Sequence, residues 1–330
     1  MSIVTESRVY SKSAVEKGPS YSNYVDYKID YGRICDYKIS EYLGKGKYSQ
    51  VFKGKAGDRE CIIKVLKPVR EKKINREAKI LTILKENANV VELIDVVRDE
   101  VSNTRSFVYT FEEYLETREL FKVFTEDDIR YYSKKILETL DYCHARGIMH
   151  RDIKPQNLVI NHRRREMKII DWGLAEFYIP RVEYSIGVGS MHYKSPELLV
   201  GYKTYDYGVD IWAFGCVFGE MVLTQTSPIF EGGTNAKQIW KIVSVLGSES
   251  FLKWAAECHI AVQKSLAEVV RDMPKEGAWD KFIEAPRIDF DSEQSQENAF
   301  DLLSRMLEID HRKRASAKEC LAMPFFKDAK

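Results

Sequence analysis

The chain has 330 residues, 44% hydrophobic and 31% charged, an ordinary balance for a soluble globular protein with room for two lobes. Its net charge of +1 supplies no global field toward nucleic acid or a membrane surface, and neither is expected as a partner. The six cysteines (Cys35, Cys61, Cys143, Cys216, Cys258, Cys320) are scattered without a CxxC pair, which argues against a disulfide framework or a zinc site and points to the cytoplasm or nucleus.

The N-terminal "MSIVTESRVY" has no apolar core of the kind a signal peptide needs. Residues 1–36 are rich in Tyr, Ser and Lys and read as an arm, tied down through Tyr21, Tyr24 and Tyr27. Residues 37–113 carry mostly strand signals ("YKISEYLG", "SQVFKGKA", "ECIIKVLK", "VVELIDVV", "SFVYTFEE"). One helix interrupts them, with Ile74, Ala78, Leu81 and Leu84 at helical spacing. Residues 114–326 turn helical, and 327–330 form a short tail. The first long helix opens on Thr125 with Asp128 three residues later, a capping-box pattern, and stops at Gly147. Further helices are expected near 206–223, 235–246, 251–257, 260–270 and 296–307. The stretch "IWAFGCVFGEMVL" carries Glu220 and is too short to span a bilayer, so it reads as a buried helix. A small β-rich lobe, a larger helical lobe and a ligand cleft between them are the expected α+β architecture.

Three stretches carry chemistry. "GKGKYSQV" joins two strands, and its glycines, Gly44 and Gly46, let backbone N–H groups approach phosphate closely. Ser49 stands where a third glycine would be, and a strand rather than a helix follows, which excludes a dinucleotide-binding turn. Lys64 lies in an apolar strand, where a lysine needs a partner or a phosphate. Ile62 shares its face and Ile63 points away. Glu77, thirteen residues on, is either its partner or a surface glutamate.

"MHRDIKPQNLVI" supplies Asp152, Lys154 and Asn157 within one loop stiffened by Pro155. Phosphoryl transfer needs a base to orient the incoming hydroxyl, a cation near the moving phosphate and oxygen ligands for magnesium, and this loop offers each. "KIIDWGLAEF" then places Asp171 at a strand end, where it reads as a second magnesium ligand with Trp172 packed beneath it and Gly173 allowing the turn.

Taken together, Gly44/Gly46, Lys64, Glu77, His150-Arg151-Asp152, Asn157, Asp171-Trp172-Gly173 and Ser195-Pro196-Glu197 resemble the motif series of eukaryotic protein kinases, over residues 37 to 326. That resemblance implies a bilobal kinase fold, ATP and Mg²⁺ as cofactors, and Asp152, Lys154, Lys64 and Glu77 as the catalytic set. It implies a phosphate-covering loop over Gly44, Lys45, Gly46, Lys47, Tyr48 and Ser49. The adenine slot would be lined by Val51, Ile62, Val159 and Ile170, with Phe111 at its back and Glu112 and Tyr114 offering hinge backbone. Asn157 and Asp171 would hold metal. Glu197 and Arg314 would anchor the activation segment, and Asp210 would brace the catalytic loop.

Most kinases carry Phe where this chain has Trp172. With "GKGKYSQVFKG", "LDYCHARGIMHRDIKPQN", "DWGLAEFY" and "SPELLVGYKTYDYGVDIW", the chain resembles the casein kinase II catalytic (alpha) subunits. That implies a constitutively active serine/threonine kinase of acidic contexts, able to use GTP as well as ATP. Substrate cations would be Arg70, Lys72, Lys73, Arg76, Arg151 and Lys194, although 70–76 reads equally as a solvated helix end. Gly187 and Met191 replace two arginines of that family, which weakens the acidic preference next to the target. A regulatory beta-subunit dimer would dock on Ile39, Phe52, Ile63 and Val97, with Thr110 more polar than the pattern, unless these residues pack under the arm. The rival readings are a pseudokinase scaffold and a proline-directed kinase that needs an activating partner.

Overall fold

The computed structural model describes residues 3–46, 49–99, 104–110, 115–116, 119, 121–224, 227–284 and 286–327. The N-terminal lobe is an antiparallel sheet of β1 (Tyr37–Lys45), β2 (Ser49–Ala56), β3 (Arg59–Leu66), β4 (Leu93–Arg98) and β5 (Arg105–Thr110), in the order β1-β2-β3-β5-β4. These are the strands that the alternating apolar patterns predict. Strand alternation in β3 sends Ile62 and Lys64 to the cleft, while Cys61 and Ile63 point to the outer face.

On that outer face the structure corrects one expectation. Ile63 and Val97 are buried, packed with Cys61 and Val108 in a small cluster of their own. The arm contributes to the cover: Gly32 bridges to Val97 and donates its N–H to the Val96 carbonyl. Ile39 and Tyr42 stay more than half exposed, at 56% and 53%, and Phe52 packs edge-on against Tyr42. The exposed apolar surface is therefore made by β1 and not by Ile63 or Val97.

Ahead of the sheet, α1 (Pro19–Ser22) is a single turn of the arm. Helix α2 (Glu71–Leu84) buries Ile74, Ala78, Leu81 and Leu84 against the sheet, as its spacing requires, and carries Glu77 on the same side.

The C-terminal lobe is mostly helical. Helix α3 (Glu126–His144) begins with a complete capping box between Thr125 and Asp128. It ends before Gly147, whose φ of 72° and whose contact with Ala14 both need glycine; a Cβ there would lie 2.7 Å from the Ala14 Cβ. The short strands β6 (Leu115–Glu116), β7 (Ile148–Met149), β8 (Leu158–Asn161), β9 (Glu166–Ile169) and β10 (Glu176–Phe177) frame the loops that carry the motifs. The remaining helices are α4 (Pro196–Leu199), α5 (Gly208–Gly219), α6 (Asn235–Leu246), α7 (Ser248–Glu257), α8 (Lys264–Arg271), α9 (Trp279–Ile283), α10 (Glu293–Met306) and α11 (Ala317–Leu321). Helix α5 is buried nearly all round and runs into a π-turn at Glu220–Thr224. Among the described residues no helix is long and apolar enough to cross a membrane.

The arm lies along both lobes. The Tyr21 and Tyr24 rings pack on Phe177 at 5.5 and 6.3 Å between centroids. Tyr27 reaches the Thr82 hydroxyl, the Ser7 N–H donates to the Tyr178 hydroxyl, and Arg8 pairs with Glu319 at 2.8 Å.

Candidate active site

Between the lobes lies a cleft of about 340 Å³, the size of a small-ligand site, lined by Gly46, Ser49, Val51, Ile62, Lys64, Asn157, Val159, Ile170 and Asp171. The apolar pair from β2 and β3 above and the pair from β8 and the β9 end below make a flat slot. Gly46 turns the loop by donating its N–H to the Ser49 carbonyl at 2.9 Å. Gly44 and Lys45 sit in β1, paired with Val51 and Gln50, and do not line the cleft. Lys47, Tyr48, Phe111, Glu112 and Tyr114 lie outside the described residues.

At the back of the slot Lys64 links the lobes. Its Nζ is 3.0 Å from Glu77 Oε1 and 2.8 Å from Asp171 Oδ1. The Tyr109 hydroxyl donates to the same Glu77 oxygen at 3.1 Å. Burial opposes the ammonium charge, but Glu77, with Asp171, outweighs it and holds the Lys64 pKa well above its ordinary value. Lys64 therefore stays cationic. Gly173 makes room for this arrangement, since a Cβ there would lie 3.2 Å from Glu77 Oε2.

The catalytic loop is fixed from below. Asp210, fully buried on α5, accepts the backbone N–H of His150 at 2.8 Å and of Arg151 at 2.7 Å. His144 Nε2 lies 3.0 Å from the same carboxylate. Burial pushes the Asp210 carboxyl up, and the His144 hydrogen bond and the neighbouring charges more than reverse it, so the pKa falls below the ordinary value. Arg151 is held at a φ of 67°, a conformation costly for a non-glycine residue. That turn aims Asp152 into the cleft. Lys154 Nζ lies 2.9 Å from Asp152 Oδ2, and Asn157 Nδ2 donates to the Asp152 carbonyl and to Oδ2 at 2.8 and 3.2 Å.

His150 orients the next motif. Its Nε2 donates to the Ile170 carbonyl at 3.1 Å, which leaves Nδ1 to accept the Asp152 N–H at 3.2 Å. The Trp172 ring stands edge-on to His150, and its indole N–H donates to the Ile169 carbonyl at 3.0 Å. Asp171 adopts a left-handed backbone, φ 60°, between them. Burial raises its carboxyl pKa, but Lys64, helped by His150 and Lys154, prevails and leaves it below the usual range.

These oxygens suit magnesium. Among the described residues the Asn157 hydrogen bonds to Asp152 use its amide nitrogen and not its Oδ1, and Lys64 engages Oδ1 of Asp171. Mg²⁺ is commonly held by one or two carboxylates plus substrate phosphates rather than by an all-protein cage. Among the described residues no cluster of three or more His, Cys, Asp or Glu could hold a metal by itself.

The family model for the protein kinase domain matches residues 37–326. The chain belongs to the protein kinase family. It is a phosphotransferase of bilobal α+β fold that uses ATP and Mg²⁺ as such kinases do.

In this kinase, the segment after Asp171 is pinned by charge. Glu197 on α4 takes Arg314 at 2.7 and 3.0 Å, wholly buried. Burial raises the Glu197 carboxyl, and the guanidinium overrides it to set the pKa below the usual range. Ser195 and Pro196 start α4, the proline at a helix-start position where it needs no N–H.

The six cations assigned to substrate divide into two groups. Arg76 and Arg151 are engaged within the kinase and line a pocket beside Tyr184 and Ser185: Arg76 pairs with Glu176 at 2.5 Å and with the Gly173 carbonyl, and Arg151 binds the Leu174 carbonyl and the Tyr205 hydroxyl. A carboxylate of the kinase itself already occupies their reach. Lys73 lines the substrate side of the cleft with Asp152, Lys154, Gly187, Gly189 and Ser190, while Arg70 and Lys72 are exposed at the start of α2. Lys194 is partly buried, and burial lowers its pKa. Asn75, next to Arg76 on α2, is buried, and its amide nitrogen donates to the Val25 carbonyl of the arm.

Four site residues escaped the sequence reading. Ser190 Oγ donates to Asp152 Oδ1 at 2.9 Å and lies 3.1 Å from Lys154 Nζ. Glu176 neutralises two arginines, His144 supports Asp210, and Tyr109 supports Glu77. Only Ser190 left a local trace, as a hydroxyl in the activation segment; the others act across distances in sequence that no period reveals.

Proposed function

We propose that this kinase phosphorylates serine and threonine in acidic sequence contexts and is active without a phosphorylation switch, in the manner of casein kinase II catalytic subunits. The observation that carries the reading is the arm on the activation segment. Tyr21 and Tyr24 pack on Phe177, and next to that ring Glu176 fills the space between Arg76 and Arg151. Arg76 and Arg151 beside the segment thus share an internal carboxylate, and Lys64–Glu77 and Glu197–Arg314 are formed at the same time.

In the mechanism this supports, Asp152 orients the acceptor hydroxyl and takes its proton, a role worth about 10²–10⁴-fold. Lys154, 2.9 Å from Asp152, stabilises the phosphoryl group in transfer. Lys64 would hold the nucleotide's phosphates, and Asn157 Oδ1 and Asp171 would hold magnesium, which would supply neutralisation of the phosphate charge. Acidic preference would rest on Lys73 at the cleft and Arg70, Lys72 and Lys194 around it, weakened beside the target by Gly187 and Met191. GTP use and a regulatory dimer on the outer face of β1 and β2, around Ile39 and Phe52, belong to the same proposal.

The testing experiment compares matched serine peptides with Glu, Ala or Pro after the target, using the purified chain and ATP·Mg²⁺. Preference for the acidic peptide without an activator is the expected result. Equal use of all three would reject acidic recognition.

A further inference from the structure

Helix α6 places a fully buried amide beneath the segment that faces the acceptor. Gln238 Nε2 donates to the His192 carbonyl and to the Phe230 carbonyl, each at 3.1 Å, and its Oε1 accepts the Gly232 N–H at 2.7 Å. Every polar atom of this side chain is engaged with backbone, on three separate residues. The helix start that carries it is itself fixed: Thr234 caps α6, and the Gln238 N–H donates to the Thr234 carbonyl at 2.8 Å. Gly232 approaches so closely that a Cβ on it would lie 2.4 Å from the Gln238 nitrogen.

His192 belongs to the turn Met191–Tyr193, which follows Ser190 directly. The Tyr193 N–H donates to the Ser190 carbonyl at 2.9 Å, and Ser190 lines the cleft with Asp152, Lys154, Gly187 and Gly189. The amide of Gln238 therefore sets the height of the chain across which an acceptor peptide must lie. A buried amide that satisfies three backbone groups specifies one position, because any displacement leaves a buried donor or acceptor unmet.

We infer that Gln238 is a positioning residue for acceptor binding: it locks residues 187–193 to helix α6 and to the loop at Phe230–Gly232. It acts on the peptide and not on the nucleotide, whose cleft it does not line. The inference rests on the kinase family assignment, not on acidic specificity.

The test uses the full chain with Gln238→Met, which keeps length and burial but removes the amide. It also uses Gly232→Ala, which pushes the loop off Gln238 without altering its side chain. A degenerate serine-peptide mixture serves as acceptor, so the outcome does not depend on which residues follow the target. Peptide kcat/KM is expected to fall about 10- to 100-fold, mostly through KM, since small misplacement of a bound group is enough for such losses. ATP hydrolysis to water, measured without peptide, is expected to remain at the parent rate. Parallel loss of both activities would mark general destabilisation and overturn the inference. So would an unchanged peptide kcat/KM in either folded variant.

Discussion

Asp210 accepts the backbone N–H of Arg151 at 2.7 Å, and Arg151 is the residue forced to a φ of 67° immediately before Asp152. The strain at the catalytic turn is thus held by a carboxylate from another helix. Asp210→Ala removes an acceptor for two backbone donors and for His144, all buried. We expect a loss of about 3 kcal/mol in stability and about 10²-fold in kcat, read by denaturant unfolding and steady-state kinetics. Unchanged kcat in a folded variant would show that the turn holds itself.

Lys64 carries the second prediction. Lys64→Met leaves Glu77 buried beside Tyr109 without its cation and frees Asp171 from its 2.8 Å contact. The variant should lose about 10³-fold or more in kcat/KM for ATP, as expected when a cation on the transferring phosphates is removed. Nucleotide titration and kinetics on the same preparation measure both parts.

Glu176 makes a third test possible. Glu176→Ala leaves Arg76 and Arg151 without their shared carboxylate. Activity should fall about 10-fold and recover partly with added sulfate or phosphate, because an anion can replace the lost charge. Kinetics against anion concentration, with chloride held constant, would detect the rescue. Full activity without anions would remove Glu176 from the account.

A fourth concerns acid. Glu319, capped against Ser316, is drawn by Arg8 from an ordinary 4.5 to about 2. At Asp310 burial opposes ionisation, but Arg312 and Lys313 overcome it and bring the carboxyl from 3.8 to about 2. A depressed carboxyl adds stability that is complete above its ordinary pKa and lost as pH falls through the folded one. Thermal stability should therefore drop between about pH 4.5 and 2. Arg8→Met should flatten that drop, and its Tm should converge on the parent's toward pH 2.

Much of this architecture is legible in the sequence because its signals are local. Alternation marks the N-terminal strands, and the Thr125–Asp128 box and the helix over 235–246 fall where the pattern puts them. The motif loop 149–160 brings Asp152, Lys154 and Asn157 together through its own spacing. What stays hidden depends on partners distant in sequence. Ile63 and Val97 read as an exposed patch because nothing local reveals that they bury each other or that Gly32 lies alongside. Arg76 and Arg151 read as substrate cations because Glu176 becomes their neighbour only after folding. Helix α10 starts at Glu293, ahead of the expected 296, because the Ser292 hydroxyl accepts the Ser295 N–H and sets the cap there.

The most direct measurement is phosphorylation of the matched peptides by the purified chain, unphosphorylated and without a partner. Turnover of the peptide with Glu after the serine, well above those with Ala or Pro, is expected from the first minutes of reaction. Turnover that appears only after phosphorylation of the activation segment or addition of a partner protein would contradict the proposed function.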